Sequence, residues 1–131
     1  MMTRMARSWN LCLVFAVAAA VAVATAREAS AQSKYEGRWS VLIITDKGQC
    51  GRAYRYSVRI ERGAIVYGGE AGVQFTGRVD RRGRLRATIS RGSTSASGSG
   101  RLDRNRGAGV WSGQSRTAQC SGRWEAERRN D

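Results

Sequence analysis

Residues Ala53–Glu61 (AYRYSVRIE) indicate the fold class, because apolar and polar residues alternate along this stretch without a break. Every second position is apolar or aromatic, at Tyr54, Tyr56, Val58 and Ile60. The positions between them carry polar or charged side chains, at Arg55, Ser57, Arg59 and Glu61. Successive side chains of a β-strand point to opposite faces, so this period of two predicts a strand with one buried and one solvated face.

Similar short stretches, separated by glycine-containing turns, extend through the rest of the chain. Residues 32–131 hold all 16 glycines and no proline, and no stretch among them shows a helical period. The pattern predicts eight strands, at residues 37–44, 53–61, 64–68, 72–79, 84–90, 95–102, 108–113 and 120–127. Because the connections are short, we expect antiparallel neighbours in an up-and-down order.

Two cysteines, Cys50 and Cys120, indicate whether the sheet stays open or closes into a barrel. Cys50 follows the first predicted strand and Cys120 begins the eighth, so both lie at the same end of an eight-stranded meander. A disulfide between them predicts that the first and last strands pair, which closes a small barrel and removes its free edges. The disulfide would stabilise the fold by roughly 4 kcal/mol in the chain-entropy model. A two-sheet β-sandwich is the alternative architecture.

Residues 1–31 are predicted to be a cleavable signal peptide. Arg4 and Arg7 precede an uncharged apolar run, Leu11–Ala26, and the small residues Ala29–Ala31 provide a cleavage site. The run is short for a transmembrane helix, so we expect no membrane span after cleavage. The mature protein would be a single β-barrel domain, residues 32–131, that is periplasmic or secreted. Such oxidising compartments permit disulfides.

The predicted mature domain is strongly basic, and nearly all of its positive charge comes from arginine. Residues 1–31 contain three of the 23 basic and one of the 10 acidic residues, which leaves the domain a net charge of +11. Loops at one end of the meander collect six candidate anion-binding residues, which are Arg62, Arg81, Arg82, Arg84, Arg104 and Arg106. Arginine binds phosphates and carboxylates through paired hydrogen bonds, so the expected partners are an anionic glycan, lipopolysaccharide or an acidic protein. A solvated end that only keeps the protein soluble is the simpler alternative.

Catalysis is not expected, because the residue types that usually carry it are missing. The chain has no histidine, which removes the commonest general base and most zinc sites. Pairing of Cys50 with Cys120 leaves the mature domain no free thiol, and no carboxylate lies in a recognisable catalytic motif. The sequence therefore predicts a binding protein with no catalytic residue, no metal site and no cofactor.

The motif Gly37-Arg38-Trp39 opens the first predicted strand, and Arg128 and Arg129 follow the last. A Gly-x-Trp at the start of an eight-stranded barrel resembles the calycins, the group of lipocalins, avidins and bacterial barrel-shaped inhibitors. That resemblance implies that Trp39 plugs one barrel end and that Arg128, or alternatively Arg129, packs over it. The mature chain is also similar to small exported alphaproteobacterial proteins of unassigned function, a likeness that implies no activity.

Two other functions suit a small exported barrel. A small apolar ligand would occupy the space left by four inward glycines, Gly98, Gly100, Gly113 and Gly122. Strands of five to nine residues favour a filled interior instead. Alternatively, the loop Thr45–Arg52, pinned by Cys50, would be the rigid binding loop of a hydrolase inhibitor. Nucleic acid is not an expected partner, because the tyrosines of the second strand alternate with polar residues and face the core.

Overall fold

The computed structural model describes residues 33–130, so the predicted signal peptide lies outside the described residues. A 3₁₀ turn, Ser33–Tyr35, precedes eight strands, which are β1 (Gly37–Lys47), β2 (Ala53–Glu61), β3 (Ala64–Val66), β4 (Val73–Val79), β5 (Arg84–Arg91), β6 (Thr94–Leu102), β7 (Arg106–Gln114) and β8 (Gln119–Arg128). Consecutive strands pair in antiparallel fashion, and β1 also pairs with β8. The predicted all-β, up-and-down closed barrel is confirmed, and the sandwich alternative is wrong.

The Cys50–Cys120 disulfide is present, with 6.2 Å between the two Cα atoms. It joins the loop after β1 to the start of β8, as the cysteine positions predicted. Beside it, β1 and β8 pair from Trp39–Arg128 to Lys47–Ser121, with a register shift between Thr45 and Lys47. Such a bulge increases local twist, which favours closure of a sheet into a barrel. The seam of the barrel is therefore held by both a covalent bond and a backbone ladder.

Strand β3 is shorter than predicted. It ends at Val66 rather than at residue 68, and it pairs with β4 at the single position Ala64–Arg78. Tyr67 then leaves the ladder, and its hydroxyl accepts a hydrogen bond from the Glu70 N–H at 3.0 Å. The alternating pattern by itself extends the strand, but the backbone ladder ends at Val66 and Tyr67 hydrogen-bonds within the following loop instead.

The two barrel ends differ in how their interiors are filled. We call the end at which β1 begins, and which carries the β2–β3, β4–β5 and β6–β7 connections, the plug end. The open end carries the other four connections and the disulfide. The most buried residues gather towards the plug end, and they include Tyr35, Trp39, Val58, Ile60, Ile65, Val79 and Leu102.

Glycines in the serine-rich strands β6 and β7 allow Trp124 of β8 to pack closely against their backbone. A Cβ atom on Gly109 would lie 2.0 Å from the Ser99 carbonyl oxygen and 2.6 Å from Trp124 Nε1. Only glycine fits at that distance. The Trp124 indole therefore packs directly over backbone, and its Nε1–H donates to the Ser99 carbonyl at 3.1 Å.

Candidate functional site

The barrel encloses a cavity of about 290 Å³ that runs along its interior. At the plug end its floor is formed by Trp39, which is 1% exposed, and by Leu102. At the open end its rim includes Tyr54, Arg91 and Thr94, all of which are exposed to solvent. The cavity is thus closed at one end by packed side chains and reaches the surface at the other.

This cavity corrects the expectation of a filled interior. Strand β1 has eleven residues rather than the eight predicted, which lengthens the barrel wall. The middle of β5 and β6 then faces inward with small side chains, Ala87, Ala96 and Gly98. Of the glycines predicted to leave space, Gly98 has ordinary van der Waals room for a Cβ atom, whereas Gly100, Gly113 and Gly122 meet backbone within 3 Å. The space comes from wall length and alanine as much as from glycine.

The lining of the cavity offers a ligand apolar surface, because its indole N–H groups are already hydrogen-bonded. Trp39 donates to the Tyr35 carbonyl at 2.9 Å, Trp111 to the Ile44 carbonyl at 2.9 Å, and Trp124 to the Ser99 carbonyl. These bonds fix the rings and leave their faces and edges as contact surface. A ligand in this cavity would be held mainly by removal of apolar area from water.

Aromatic rings line one side of the upper interior. The Tyr56 ring lies edge-on to Tyr67, with 5.7 Å between centroids, and to Phe75 at 6.2 Å. Burial raises the pKa of Tyr56 above its usual 10.0, and the nearby Tyr67, Tyr54 and Glu70 raise it further, against the opposing charge of Arg91. The Tyr56 hydroxyl is therefore protonated at neutral pH and is a neutral donor near the rim.

Charge at the cavity is confined to the rim. Arg91 is the one charged residue that lines the cavity within the part of the chain that the structure describes. Its Nη2 lies 3.3 Å from Glu70 Oε1, and both side chains are more than half exposed. The loop Thr45–Arg52 borders the same end and is held by the disulfide and by a hydrogen bond from Thr45 Oγ1 to the Gly51 carbonyl at 2.7 Å.

Arg128 and Trp39 meet at the plug end, where the resemblance to calycins implied a plug. The Arg128 guanidinium carbon lies 4.7 Å from the centre of the Trp39 ring. Its Nε donates to the Arg104 carbonyl at 2.7 Å and its Nη2 to the Lys34 carbonyl at 2.7 Å, while Nη1 donates to the Glu36 carbonyl. One side chain thus ties the N-terminal segment and the β6–β7 loop to β8. Arg129 makes a backbone bond to the Arg38 carbonyl instead.

The structure places the six predicted anion-binding arginines around the plug end, and all of them are exposed. Arg62 lies in the β2–β3 turn, Arg81 and Arg82 in the β4–β5 loop, and Arg104 in the β6–β7 loop; Arg84 and Arg106 begin β5 and β7. Backbone bonds join these connections to the next strands, from Val79 N–H to the Gly63 carbonyl and from Leu102 N–H to the Gly83 carbonyl. Three further outward arginines, which the sequence analysis did not predict as anion-binding residues, lie on the neighbouring strands β4, β5 and β6: Arg78, Arg86 and Arg101.

Asp80 shapes the β4–β5 loop. Its Oδ1 accepts hydrogen bonds from the backbone N–H groups of Arg82, at 2.8 Å, and Arg84, at 3.0 Å. Partial desolvation raises the pKa of Asp80, but these two hydrogen bonds and the charges of Arg84 and Arg82 outweigh it, so its pKa lies below the usual 3.8. The carboxylate is therefore used within its own turn, and it holds two arginines of the plug end in position.

Replacing Asp80 by asparagine should lower the free energy of unfolding at neutral pH while keeping an oxygen acceptor for the turn. Because the folded-state pKa is depressed, the charge of Asp80 stabilises the fold above pH 3.8, and this contribution is lost as the pH falls through the folded-state value. Urea unfolding of both proteins between pH 7 and pH 2 should show their difference shrinking in acid. A difference that stays constant across this range would contradict a role for the charge.

No group of three or more histidine, cysteine, aspartate or glutamate side chains in residues 33–130 is arranged to hold a metal ion. Over the same residues, no helix is long and apolar enough to cross a membrane. No protein-family model matches the chain, and no curated protein or solved structure matches it. The eight-stranded antiparallel barrel is consistent with a calycin-like architecture, and that likeness rests on the fold.

Proposed function

We propose that this protein is an exported, non-enzymatic carrier or sensor that binds one small apolar molecule inside its barrel. The observation that supports this most is the cavity of about 290 Å³, which is open at one end and has an apolar floor. Ligand pockets typically have volumes of about 300–1,000 Å³ and carry few polar groups, so this cavity suits a compact ligand. A hydrolase inhibitor would need no such interior.

The lining also supports an uncharged ligand body. Burying a charge away from water costs several kcal/mol unless a partner compensates it, and the deep part of this cavity has no charged side chain to do so. A polar head group is better placed at the rim, near the Tyr56 hydroxyl and the Arg91 guanidinium. The proposed ligand is apolar through most of its length, and any polar group that it carries lies at the end near the rim.

Export and a periplasmic or secreted location remain part of this proposal. The disulfide suits an oxidising compartment, where it would persist. The disulfide and the plug of Trp39 and Arg128 would also keep the barrel folded, and its cavity intact, outside the cytoplasm. The arginine-rich plug end lies at the opposite end from the cavity opening, so any anionic partner bound there would leave the rim accessible.

Titration with N-phenyl-1-naphthylamine tests the proposal. This probe is apolar and uncharged, so the basic surface does not attract it. Trp39, Trp111 and Trp124 all line the cavity, and binding should therefore change tryptophan emission and increase probe emission with a one-to-one stoichiometry. Gly98→Leu should weaken binding at least tenfold, because a Cβ there meets no atom closer than 3.4 Å and the added side chain enters the cavity.

Ala108→Leu is the matched control for this titration. Ala108 lies on β7 but faces outward and is exposed, so the same side chain is added outside the barrel. The control should bind the probe as the parent does, and Gly98→Leu should melt no lower than the parent because it fills buried space. No saturable change in emission, or equal affinity in all three proteins, would reject a ligand-binding interior.

A further inference from the structure

The outer wall formed by β4 to β8 carries a continuous run of arginines. Arg78 on β4 lies directly opposite Arg86 on β5, and Arg84 on β5 lies directly opposite Arg101 on β6. Arg106 continues the series on β7, two residues from the partner of Arg101. With about 4.8 Å between strands and about 3.4 Å per residue, this arginine run spans about 20 Å.

The arginine run is costly for the barrel. Like charges placed directly opposite each other on neighbouring antiparallel strands destabilise a sheet, and two such pairs occur here. The outer faces of β4, β5 and β6 carry no acidic residue; the acids nearest the run are Asp80, which interacts with Arg84 from the β4–β5 loop, and Glu127 on β8, which lies opposite Arg106. Among residues 33–130, none of the ion pairs involves these five arginines. Repulsion of this kind is relieved when an anion binds.

A second feature of the same wall is its two uncharged rungs, rows of polar residues that neighbour each other from strand to strand. The first rung crosses five strands with hydroxyl side chains only, at Thr76, Thr88, Ser97, Ser112 and Ser121. The second lies nearer the open end and mixes hydroxyls with amides, at Gln74, Ser90, Ser95, Gln114 and Gln119.

On β6, β7 and β8 the uncharged rungs line a shallow depression of about 560 Å³ on the barrel surface. Its walls include Ser97, Ser112 and Ser121 of the first rung and Gln114 and Gln119 of the second. Short side chains leave this space open, and each hydroxyl or amide can both donate and accept a hydrogen bond. The depression therefore offers neutral, two-way hydrogen bonding. The first rung meets the arginine run on β4 and β5, where Thr76 and Thr88 lie two residues from Arg78 and Arg86.

We propose that the outer wall of β4 to β8 binds a linear anionic polysaccharide, with acid groups on the arginine run and sugar hydroxyls on the uncharged rungs. A single small anion would use only one or two of the aligned arginines. Single-stranded nucleic acid is disfavoured because this wall presents no aromatic residue on which a base could stack. A lipid surface would leave the uncharged rungs without a role.

Heparin, titrated by calorimetry at several NaCl concentrations, serves as the probe. Arg84→Ser/Arg86→Ser/Arg101→Ser should weaken binding at least tenfold. The slope of log Kd against log salt should decrease by about two to three, one for each ion contact that is lost. The control Arg52→Ser/Arg116→Ser/Arg129→Ser removes the same charge from exposed positions outside the run. It should weaken binding less than threefold. Equal losses in the two variants would overturn the proposal in favour of net charge alone.

The uncharged rungs are tested separately with Ser97→Ala/Ser112→Ala. Loss of two hydrogen-bonding groups should weaken heparin binding roughly fivefold, without changing the salt dependence. Binding of inorganic polyphosphate, which has no sugar hydroxyls, should stay the same. If heparin binding is also unchanged, or if binding of both polymers weakens equally, the proposal that this wall binds a polysaccharide is rejected.

The folded state of these variants is checked by heat and by the cavity probe. The triple arginine variant should melt higher than the parent because the opposed like charges are removed. N-phenyl-1-naphthylamine should bind it with unchanged affinity, since the cavity opens at the other end of the barrel. A melting temperature below that of the parent would show that the arginines serve the fold, and would contradict a run kept for binding. Failure of the apolar-ligand proposal would leave the heparin results unaffected.

Discussion

Replacing Cys50 and Cys120 together by alanine should lower the free energy of unfolding by about 4 kcal/mol. The disulfide closes a loop between residues 70 positions apart, so it removes many conformations from the unfolded chain. That contribution is large compared with the roughly 5–15 kcal/mol that separates folded from unfolded domains. We therefore expect the alanine variant to unfold at much lower urea concentration than the oxidised parent.

The folded barrel should nevertheless stay closed without the disulfide. The β1–β8 ladder continues on the same seam, and the Thr45 N–H bond to the Arg52 carbonyl, at 2.9 Å, preserves the base of the Cys50 loop. Probe binding to the cavity should thus change less than threefold in dilute buffer. Urea unfolding of the parent with and without dithiothreitol, and of the variant as the reductant control, measures the effect. A loss below about 1 kcal/mol would mean that the reduced chain is already restrained.

The path of the chain could be predicted because its signals are local or covalent. Alternation in β2 depends only on which face each residue occupies. The structure buries Val58 and Ile60, whereas Tyr54, predicted on the same buried face, lines the cavity at the rim and is 45% exposed. The cysteine positions add one long-range constraint, from which the pairing of the first and last strands could be predicted. The end plug had a weaker local signal, the Gly37–Trp39 motif, and it needed a resemblance to suggest which residue covers the ring.

The interior could not be predicted in the same way. Alternation tells which side chains face inward, but the space between them depends on strand length and stagger, which set the shape of a barrel. Strand β1 continues through Lys47, beyond the predicted end at residue 44, and its bulge against β8 cannot be recognised from composition. The cavity follows from these geometric details together with Ala87 and Ala96.

The arrangement of side chains on the outer wall could not be predicted from the sequence for a related reason. A hydroxyl rung exists only when five strands are in register, and register cannot be assigned strand by strand. Thr76 and Ser121 lie on the same rung although 45 positions separate them in the chain. The spacing of Arg84 and Arg86 did carry a signal, since residues two apart share a face of a strand. Of the six arginines predicted from the loops, only Arg84 and Arg106 belong to the arginine run.

Replacing Trp39 by alanine should lower the free energy of unfolding by about 3–5 kcal/mol, the usual cost of removing a buried aromatic side chain. Trp39 is 1% exposed and closes the cavity floor, and its indole N–H holds the Tyr35 carbonyl at 2.9 Å. Trp39→Phe keeps a ring in place and should cost less than the alanine variant. Because the floor is removed, the alanine variant should also bind the cavity probe at least tenfold more weakly, at temperatures where it remains folded.

Substitution of Arg128 tests whether Arg128 and Trp39 act together as a plug or whether Trp39 is simply packed in the core. If the guanidinium acts on the Trp39 ring, Arg128→Ala should cost about 2–3 kcal/mol in the parent and less in Trp39→Ala, because the cation–π contact is already lost. Arg129→Ala is the matched control and should stay within about 0.5 kcal/mol, as expected for an exposed side chain. Urea unfolding of the single and double variants completes the cycle. Additive losses would show that Arg128 holds the carbonyls of Lys34, Glu36 and Arg104 independently of the ring, and that the two residues do not act as one plug.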